Sequence, residues 1–430
     1  MDLLRRIALL LLLVVPAWAP AAAQTGSSEE IGGTFRAPDP DGGTKPVTGV
    51  RVSVRIAEGA PIGEARSDER GRWTVLLPGP GRYAISLDPA SVPAGLALRP
   101  GAATLLTLDV VRNEKAIVVF PLVAGAATPP ETGPGVEMRL VQLAVDGLIF
   151  GLVLAITAIG LSLIFGITRI VNFGHGDVIS LGALIAVLLN AMETGPQMHL
   201  LAAGILAVLL VGALGLPFER LFRGIGERAA DHFTILVFSI GLSFVLRHAL
   251  LFAFGPANLP YRQYLLQDLI RIGPIVVAPR DLAVAGIALV VLVAVGLLLL
   301  RTRIGRAMRA TSTNPSLAAQ SGIDVAKITR LTWVLGTMLA AVGGVLLAVS
   351  QQARWDMGYQ MLMFIFAAVI LGGIGTAFGA MVGGIIIGLI AQLSTVLIPP
   401  ELKPAVVMAV LVLILLCRPL GLFNRARRIG

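Results

Sequence analysis

Charge is what this sequence has least of. Only 14% of its 430 residues are Asp, Glu, Lys or Arg, 56% are hydrophobic and the mean hydropathy is +0.85, whereas a soluble domain carries about 25% charged residues. A water-soluble globule over the full length is thereby excluded. Lysine is especially scarce: Lys45, Lys115, Lys327 and Lys403 are the only ones, and none follows a glycine. The chain therefore has no G-x-x-x-x-G-K-[ST] phosphate loop and is not expected to hydrolyse ATP by one. Cys417 is the single cysteine, so no intrachain disulfide forms in any compartment. His175, His199, His232 and His248 are too scattered to give metal-ligand spacing, so no metal and no other cofactor is expected. There is no G-x-S-x-G elbow. The net charge of +9 would suit nucleic acid, but its placement along the chain accounts for it otherwise.

What is present falls into unlike parts. Arg5 and Arg6, the apolar run Ile7–Val15 and Ala21-Ala22-Ala23 ahead of Gln24 have the order of a signal peptide over 1–23. The run is shorter than the ~20 residues of a span; an uncleaved anchor is the alternative. Residues 24–123 are expected to form a small extracytoplasmic all-β sandwich. Val50, Val52, Val54 and Ile56 alternate with Arg51, Ser53 and Arg55, and Tyr83, Ile85 and Leu87 repeat the pattern, as strands with one buried face do. Turns are expected at 68–71 and 78–81. Ser67–Val75 together with Leu77–Tyr83 resembles carboxypeptidase regulatory-like domains, which are usually non-catalytic. Residues 24–135 hold no histidine and no cysteine, so a transition-metal site is not expected there either. The segment 124–138, with Pro129, Pro130, Gly133, Pro134 and Gly135, is expected to be a linker.

From Val141 onward apolar segments succeed one another. Spans are expected near 141–167, 178–191, 199–217, 233–253, 281–300, 331–349, 358–376, 380–398 and 404–418, with 178–191 and the region around 370–380 as re-entrant candidates. If each segment crosses from an outside start, fourteen bases fall inside, among them Arg169, Arg220, Arg223, Arg228, Arg301, Arg303, Arg306 and Arg309, against six outside: Arg139, Arg262, Arg271, Arg280, Arg354 and Lys403. This positive-inside bias explains the charge without nucleic acid, and a basic collar suits anionic membrane lipid. The expected fold is thus a polytopic α-helical membrane protein of about eight or nine transmembrane helices, preceded by the sandwich. Asp146 is the only acid clearly within an expected span, with Asp177 at a span edge, so a proton-relay transporter is disfavoured. Arg247, in the outer third of its span, is expected to snorkel.

Three segments interrupt the apolar pattern. Asn172, Phe173, His175, Gly176 and Asp177 put polar groups at a span edge, where they must face protein or a water path. In 301–324, Asn314 suits an N-cap, Pro315 the first helical position and Gly322 the residue past the end. This predicts a two-turn helix over 315–321, of a size to dock on a partner. The glycines Gly372, Gly373, Gly375, Gly379 and Gly383 are expected to let helices approach closely, and the run Leu371–Gly379 to make a tight, backbone-lined turn.

Asn172-Phe173-Gly174-His175-Gly176 is similar to the N-F-A-H-G segment of permeases of branched-chain amino-acid ABC importers of the LivH type, with Gly174 in place of alanine. Asn314-Pro315 followed by Ala318, Ala319, Gly322, Ile323 and Asp324 resembles that family's ATPase-coupling loop. Leu371–Gly379 with Gly383-Gly384 resembles its glycine-rich stretch. The resemblance spans about 140–425 and implies that residues 139–430 are the permease domain of an inner-membrane, ATP-driven importer for branched-chain or related amino acids. It also implies the partners: a second, LivM-like permease, two ABC ATPase subunits and an extracytoplasmic substrate-binding protein. Asn172–Asp177 then belong to the translocation path. A secondary transporter or channel, or a receptor sensing through the sandwich, remain the alternatives.

Overall fold

The computed structural model describes residues 30–38, 44–56, 61–79, 81–93, 95–98, 104–110, 115–118, 120, 122–124, 136–192, 195–228, 232–263, 270–272, 275–418 and 421–422. The expected signal segment and most of the expected linker lie outside them. The described chain forms two compact units, the second starting at Val136.

In the first unit, strands Pro61–Arg66, Arg51–Ile56, Gly81–Leu87 and Leu105–Val110 form an antiparallel sheet in that order. A second sheet holds Lys115–Ile117, Glu30–Thr34 and Arg72–Leu76, its first pair parallel. Val52, Val54, Ile85 and Leu87 from one sheet and Ile31, Trp73 and Val75 from the other share a single buried core, the outcome of a period-2 pattern on both. Asp68 makes the turn, its Oδ1 accepting from the amides of Arg72 (2.8 Å) and Arg70 (2.9 Å). The Arg72 amide in particular holds this carboxyl below the usual aspartate range.

The second unit is helical: α1 (Val136–Thr168), α2 (His175–Asn190), α3 (Leu200–Gly226), α4 (His232–Phe254), α5 (Pro279–Arg301), α6 (Arg303–Thr313), α7 (Pro315–Gln320), α8 (Val325–Gln351), α9 (Met357–Gly372), α10 (Ala377–Leu393) and α11 (Lys403–Cys417). Among the described residues, α1, α3, α4, α5, α8, α10 and α11 carry stretches long and apolar enough to cross a membrane, while α2 and α9 are apolar but shorter. The nine expected segments all coincide with helices, but several extend further: 199–217 continues through Pro217 to Gly226, and 331–349 becomes Val325–Gln351. Helix α6 was not expected at all. Its signal lay in the sequence, as Gly305, Met308 and Thr311 share one buried face at i, i+3, i+6 spacing.

Loop contacts sort the helix ends into two sets. Arg139 reaches the carbonyl of Thr395 (3.5 Å), Asn190 that of Met198 (2.8 Å), Ser350 the carboxylate of Asp281 (2.7 Å), and Leu259 bridges Ala353. The Gln142 amide clamps both backbone groups of Val276 (3.0 and 2.9 Å). At the opposite end Arg169 meets the carbonyl of Ser312 (3.0 Å) and the Leu422 amide that of Leu371 (2.8 Å). The chain alternates between these ends, so the described bases expected inside gather at one end and those expected outside at the other.

Glycine sets the spacing. A Cβ on Gly388 would lie 2.3 Å from Cα of Gly151, and one on Gly384 2.6 Å from Cα of Ala155. The four-residue glycine spacings of α1 and α10 are thus two faces of one contact. Gly379 and Gly383 do the same against Gly372 and Ala368. Gly373 (φ +100°) and Gly375 (φ +82°) form the tight turn between α9 and α10, where a side chain would be strained, and a Cβ on Gly166 of α1 would lie 3.1 Å from the Gly375 carbonyl oxygen.

The two short helices repeat one design in opposite directions. Each follows a long helix, each loop opens on a non-glycine residue with positive φ (Arg169, 59°; Gln352, 65°), and each short helix has glycine at its second position, Gly176 and Gly358. These glycines face each other. A Cβ on Gly358 would stand 1.9 Å from the carbonyl oxygen of Gly176, a contact with backbone that cannot swing aside. Gly358→Ala is therefore expected to destabilise the detergent-purified protein by about 1–3 kcal/mol, as overpacking does. Gly286→Ala, with nothing within 4 Å, should stay within about 0.5 kcal/mol of the parent. Thermal unfolding of the two variants side by side checks this.

Candidate functional site

The segment 169–174 does not skirt the membrane surface. The His175 ring nitrogen Nε2 lies 3.1 Å from the carbonyl of Thr157, and Thr157 sits about 16 Å along α1 from its end at Thr168, at 1.5 Å per residue. A hydrocarbon core is about 30 Å thick, so α2 begins near its middle. Gly358 touches Gly176, so α9 begins at the same depth from the other side, its amide donating to Ser180 Oγ (2.9 Å). Two helix N-termini, each with outward-pointing amides and a partial positive charge, converge inside the helical unit.

The side chains around this junction are polar and buried. Asn172 is 4% exposed, His175 0%, Asp177 1%, Ser239 0%, Ser243 3% and Arg247 8%. Asn172 Oδ1 accepts from the Gly174 amide (3.0 Å), fixing the turn into α2. A carbonyl only accepts, so His175 Nε2 carries the hydrogen toward Thr157; its Nδ1 has no partner among the described residues. The Asp177 carboxylate accepts from Ser243 Oγ and from Arg247 Nε (3.2 Å), and Arg247 Nη2 reaches Ser243 Oγ (3.0 Å). The Arg247 guanidinium also lies 3.5 Å from the ring centroid of Tyr359, the third residue of α9, a desolvated cation–π contact. Asp177 is likewise the third residue of α2, so Arg247 joins equivalent positions of the two opposed short helices. Phe173 leaves the cluster: its amide meets Ser239 Oγ at 3.5 Å and its ring packs edge-on to Phe366 (5.2 Å).

Arg247 is thus a correction to the sequence reading. It does not snorkel; it is drawn inward because Asp177, Ser243 and Tyr359 satisfy its charge. Asp177 lies fully within the packed unit rather than at a span edge. Ser239, Ser243, Arg247 and Tyr359 were not singled out as site residues. The signal was present for three of them: Ser239, Ser243 and Arg247 follow at i, i+4, i+8, one polar stripe on an otherwise apolar helix.

The second set of site candidates is elsewhere, at the end bearing Arg301 and Arg309. Asn314 Oδ1 caps α7 by accepting from the Leu317 amide (3.1 Å), Gly322 has φ +81°, and Asp324 Oδ1 accepts from the Lys327 amide (2.9 Å) to start α8. The Ile323 amide donates to the Ala318 carbonyl (3.0 Å). Ala318 faces inward at 4% exposure, while Asn314, Pro315 and Ala319 are exposed and Leu317 is 59% exposed. An apolar residue is therefore presented on the tip of a rigidly capped helix.

Residues 143–415 match the family described as branched-chain amino acid transport system, permease component. The chain is 31% identical over 307 residues, 67% of its length and 96% of the relative, to the high-affinity branched-chain amino acid transport system permease protein LivH of Escherichia coli. It is 30% identical over 298 residues, 66% of its length and 95% of the relative, to the corresponding protein BraD of Pseudomonas aeruginosa. A probable permease LivH of Methanocaldococcus jannaschii is 29% identical over 266 residues, 58% of this chain and 79% of the relative. The β unit lies outside the matched family region.

Removing one partner of a buried ion pair leaves an uncompensated charge, which costs about 3–5 kcal/mol, whereas replacing both by apolar groups costs far less. Asp177→Leu alone is expected to lower stability by that amount. Asp177→Leu with Arg247→Met should recover most of it and still fail to support transport. A double-mutant cycle by thermal unfolding in detergent, paired with uptake measurements, tests both halves.

Proposed function

The chain belongs to the family of branched-chain amino acid transport system permease components, and from that membership we propose how its parts divide the work of import. It is a multi-pass inner-membrane subunit that forms a transport path. The observation that carries the reading is the buried polar junction of Asn172, His175, Asp177, Ser243 and Arg247 at the meeting of two half-length helices. Ionisable groups held at membrane depth are expensive, and they mark the route of polar cargo; opposed helix N-termini at mid-depth are how transporters build such sites. Asn172–Asp177 brace that route and respond to the movement of α4 against α9.

Energy enters from separate ATPase subunits, because this chain has no phosphate-binding loop. Helix α7, with Leu317 and Ala319 outward and Asn314, Gly322 and Asp324 as its caps, is the surface on which an ATPase pushes. A second, LivM-like permease completes the path. An extracytoplasmic binding protein delivers the cargo, branched-chain or related amino acids, as the names of the relatives indicate. The β unit is an addition to this core; its mixed surface and lack of a histidine or cysteine support a role in capture or spacing rather than catalysis.

ATP-driven uptake of labelled leucine by proteoliposomes containing the full complex tests the reading; uptake by this chain alone would place it among secondary transporters instead. Gly322→Val forces a branched side chain onto φ +81° and is expected to abolish coupled uptake while insertion stays normal. Unchanged uptake in this variant would remove α7 from the coupling role. Deletion of residues 27–130, with the leading segment retained, is expected to leave maximal rate and basal ATPase activity unchanged and to raise the half-saturating concentration of binding protein.

A further inference from the structure

Helices α3 and α5 both pack against α8, and between them runs a groove of about 730 Å³. Its floor is buried and apolar: Gly204 of α3, Val284 of α5 and Leu346 of α8. Its rims, Leu201, Ile205 and Leu209 on one side and Ile287 on the other, are exposed, so the groove opens toward the bilayer. On α5 the lining runs from Pro279 to Val291, about 18 Å at 1.5 Å per residue. One leaflet supplies about 15 Å of hydrocarbon. The groove thus spans the leaflet at the Arg139 end, the outer one by the positive-inside bias, and stops near mid-depth. Among the described residues its lining holds a single charge, Arg280. As the second residue of α5, Arg280 stands at the level where hydrocarbon meets lipid headgroups. Arg280 and Val349 also line a second, smaller cavity of about 150 Å³, together with Gln263, Gln351 and Gln352. An apolar slot and a polar chamber therefore meet at one guanidinium. Asp281, the next residue, accepts from Ser350 Oγ (2.7 Å), and among the described residues no carboxylate lines either space.

We propose that the groove and chamber together hold one glycerophospholipid of the outer leaflet. Its phosphodiester sits at Arg280, in the chamber with Gln351 and Gln352, and one acyl chain lies along the groove over Val284 and Leu346. A guanidinium matches phosphate oxygens with two parallel hydrogen bonds, and the slot matches the depth a single leaflet's chain reaches. A helix of another subunit would cross the whole bilayer, whereas this groove ends halfway. A free anion would leave the slot unused, and a polar cargo would find no second polar group in it. The site is independent of the importer reading above.

The test uses the full-length chain, purified in maltoside, stripped of lipid and titrated with dioleoylphosphatidylglycerol. Native mass spectrometry counts the lipid retained, and thermal unfolding reads its effect. One tightly retained phospholipid per chain and a midpoint raised by several degrees are expected. Dioleoylglycerol has the tails without the phosphate, inorganic phosphate the anion without the tails, and neither should raise the midpoint. Arg280→Gln is expected to weaken retention about tenfold. Ala283→Trp puts an indole into the groove from an exposed position and leaves the arginine in place. It should abolish retention while the lipid-free midpoint stays that of the parent. Unchanged retention in either variant overturns the site. Equal stabilisation by dioleoylglycerol overturns the phosphate contact, and equal stabilisation by inorganic phosphate makes this a free-anion site; either result ends the proposal. A chain that retains no phospholipid, or gives it up to an added partner permease, overturns it as well.

Discussion

A helix that begins halfway through a bilayer leaves amide groups with no water to bind, and the rest of this membrane unit is arranged around that problem. The first turn of a helix has up to four such donors, and each one left unpaired in hydrocarbon costs several kcal/mol. Here α2 and α9 both begin at mid-depth, so their donors are met by neighbouring protein groups instead of water. Ser180 of α2 accepts the Gly358 amide of α9, the Asn172 carbonyl and side chain take the amides of His175 and Gly174, and the carbonyl of Thr157 in α1 receives the His175 ring. The Ser180–Gly358 bond requires the two helix starts to touch, which is why glycine stands at the second position of both. A methyl group on either would meet a backbone carbonyl.

The same contact explains the charges. An Asp177–Arg247 pair in a membrane interior is a poor source of stability in itself, because desolvation offsets most of the attraction. Its value lies in where it is tied. Arg247 on α4 holds the third residue of α2 through a carboxylate and the third residue of α9 through an aromatic face, so α4 cannot shift without exchanging partners at both helix starts. A discrete exchange of that kind is what a two-state transport cycle requires. The capped helix α7, at the basic end of the unit, is tied to the long helix α8 by the Ile323–Ala318 bond and the Asp324 cap. Helix α8 runs from that loop to Gln351, and Gln352 opens the turn that positions α9, so one rigid element links the α7 loop to the junction.

The amino-acid sequence by itself determined the class of protein, the placement of nearly every membrane helix, the alternation of their ends and the β character of the first unit. Those follow from local rules: a window of about 20 apolar residues, the bias of arginine between loops, and period-2 alternation. It also determined the cap residues of α7, since Asn314, Pro315 and Gly322 act within one turn. Tertiary structure alone decided the depth at which α2 and α9 begin, the pairing of Gly176 with Gly358, and the inward turn of Arg247. Those depend on residues 66 to 182 positions apart in the chain. An arginine near the end of an apolar segment obeys the same local rule whether it reaches for water or for a carboxylate. Only the packing of three helices supplied Asp177, Ser243 and Tyr359 as partners, and with them the reason for the charge to stay inside.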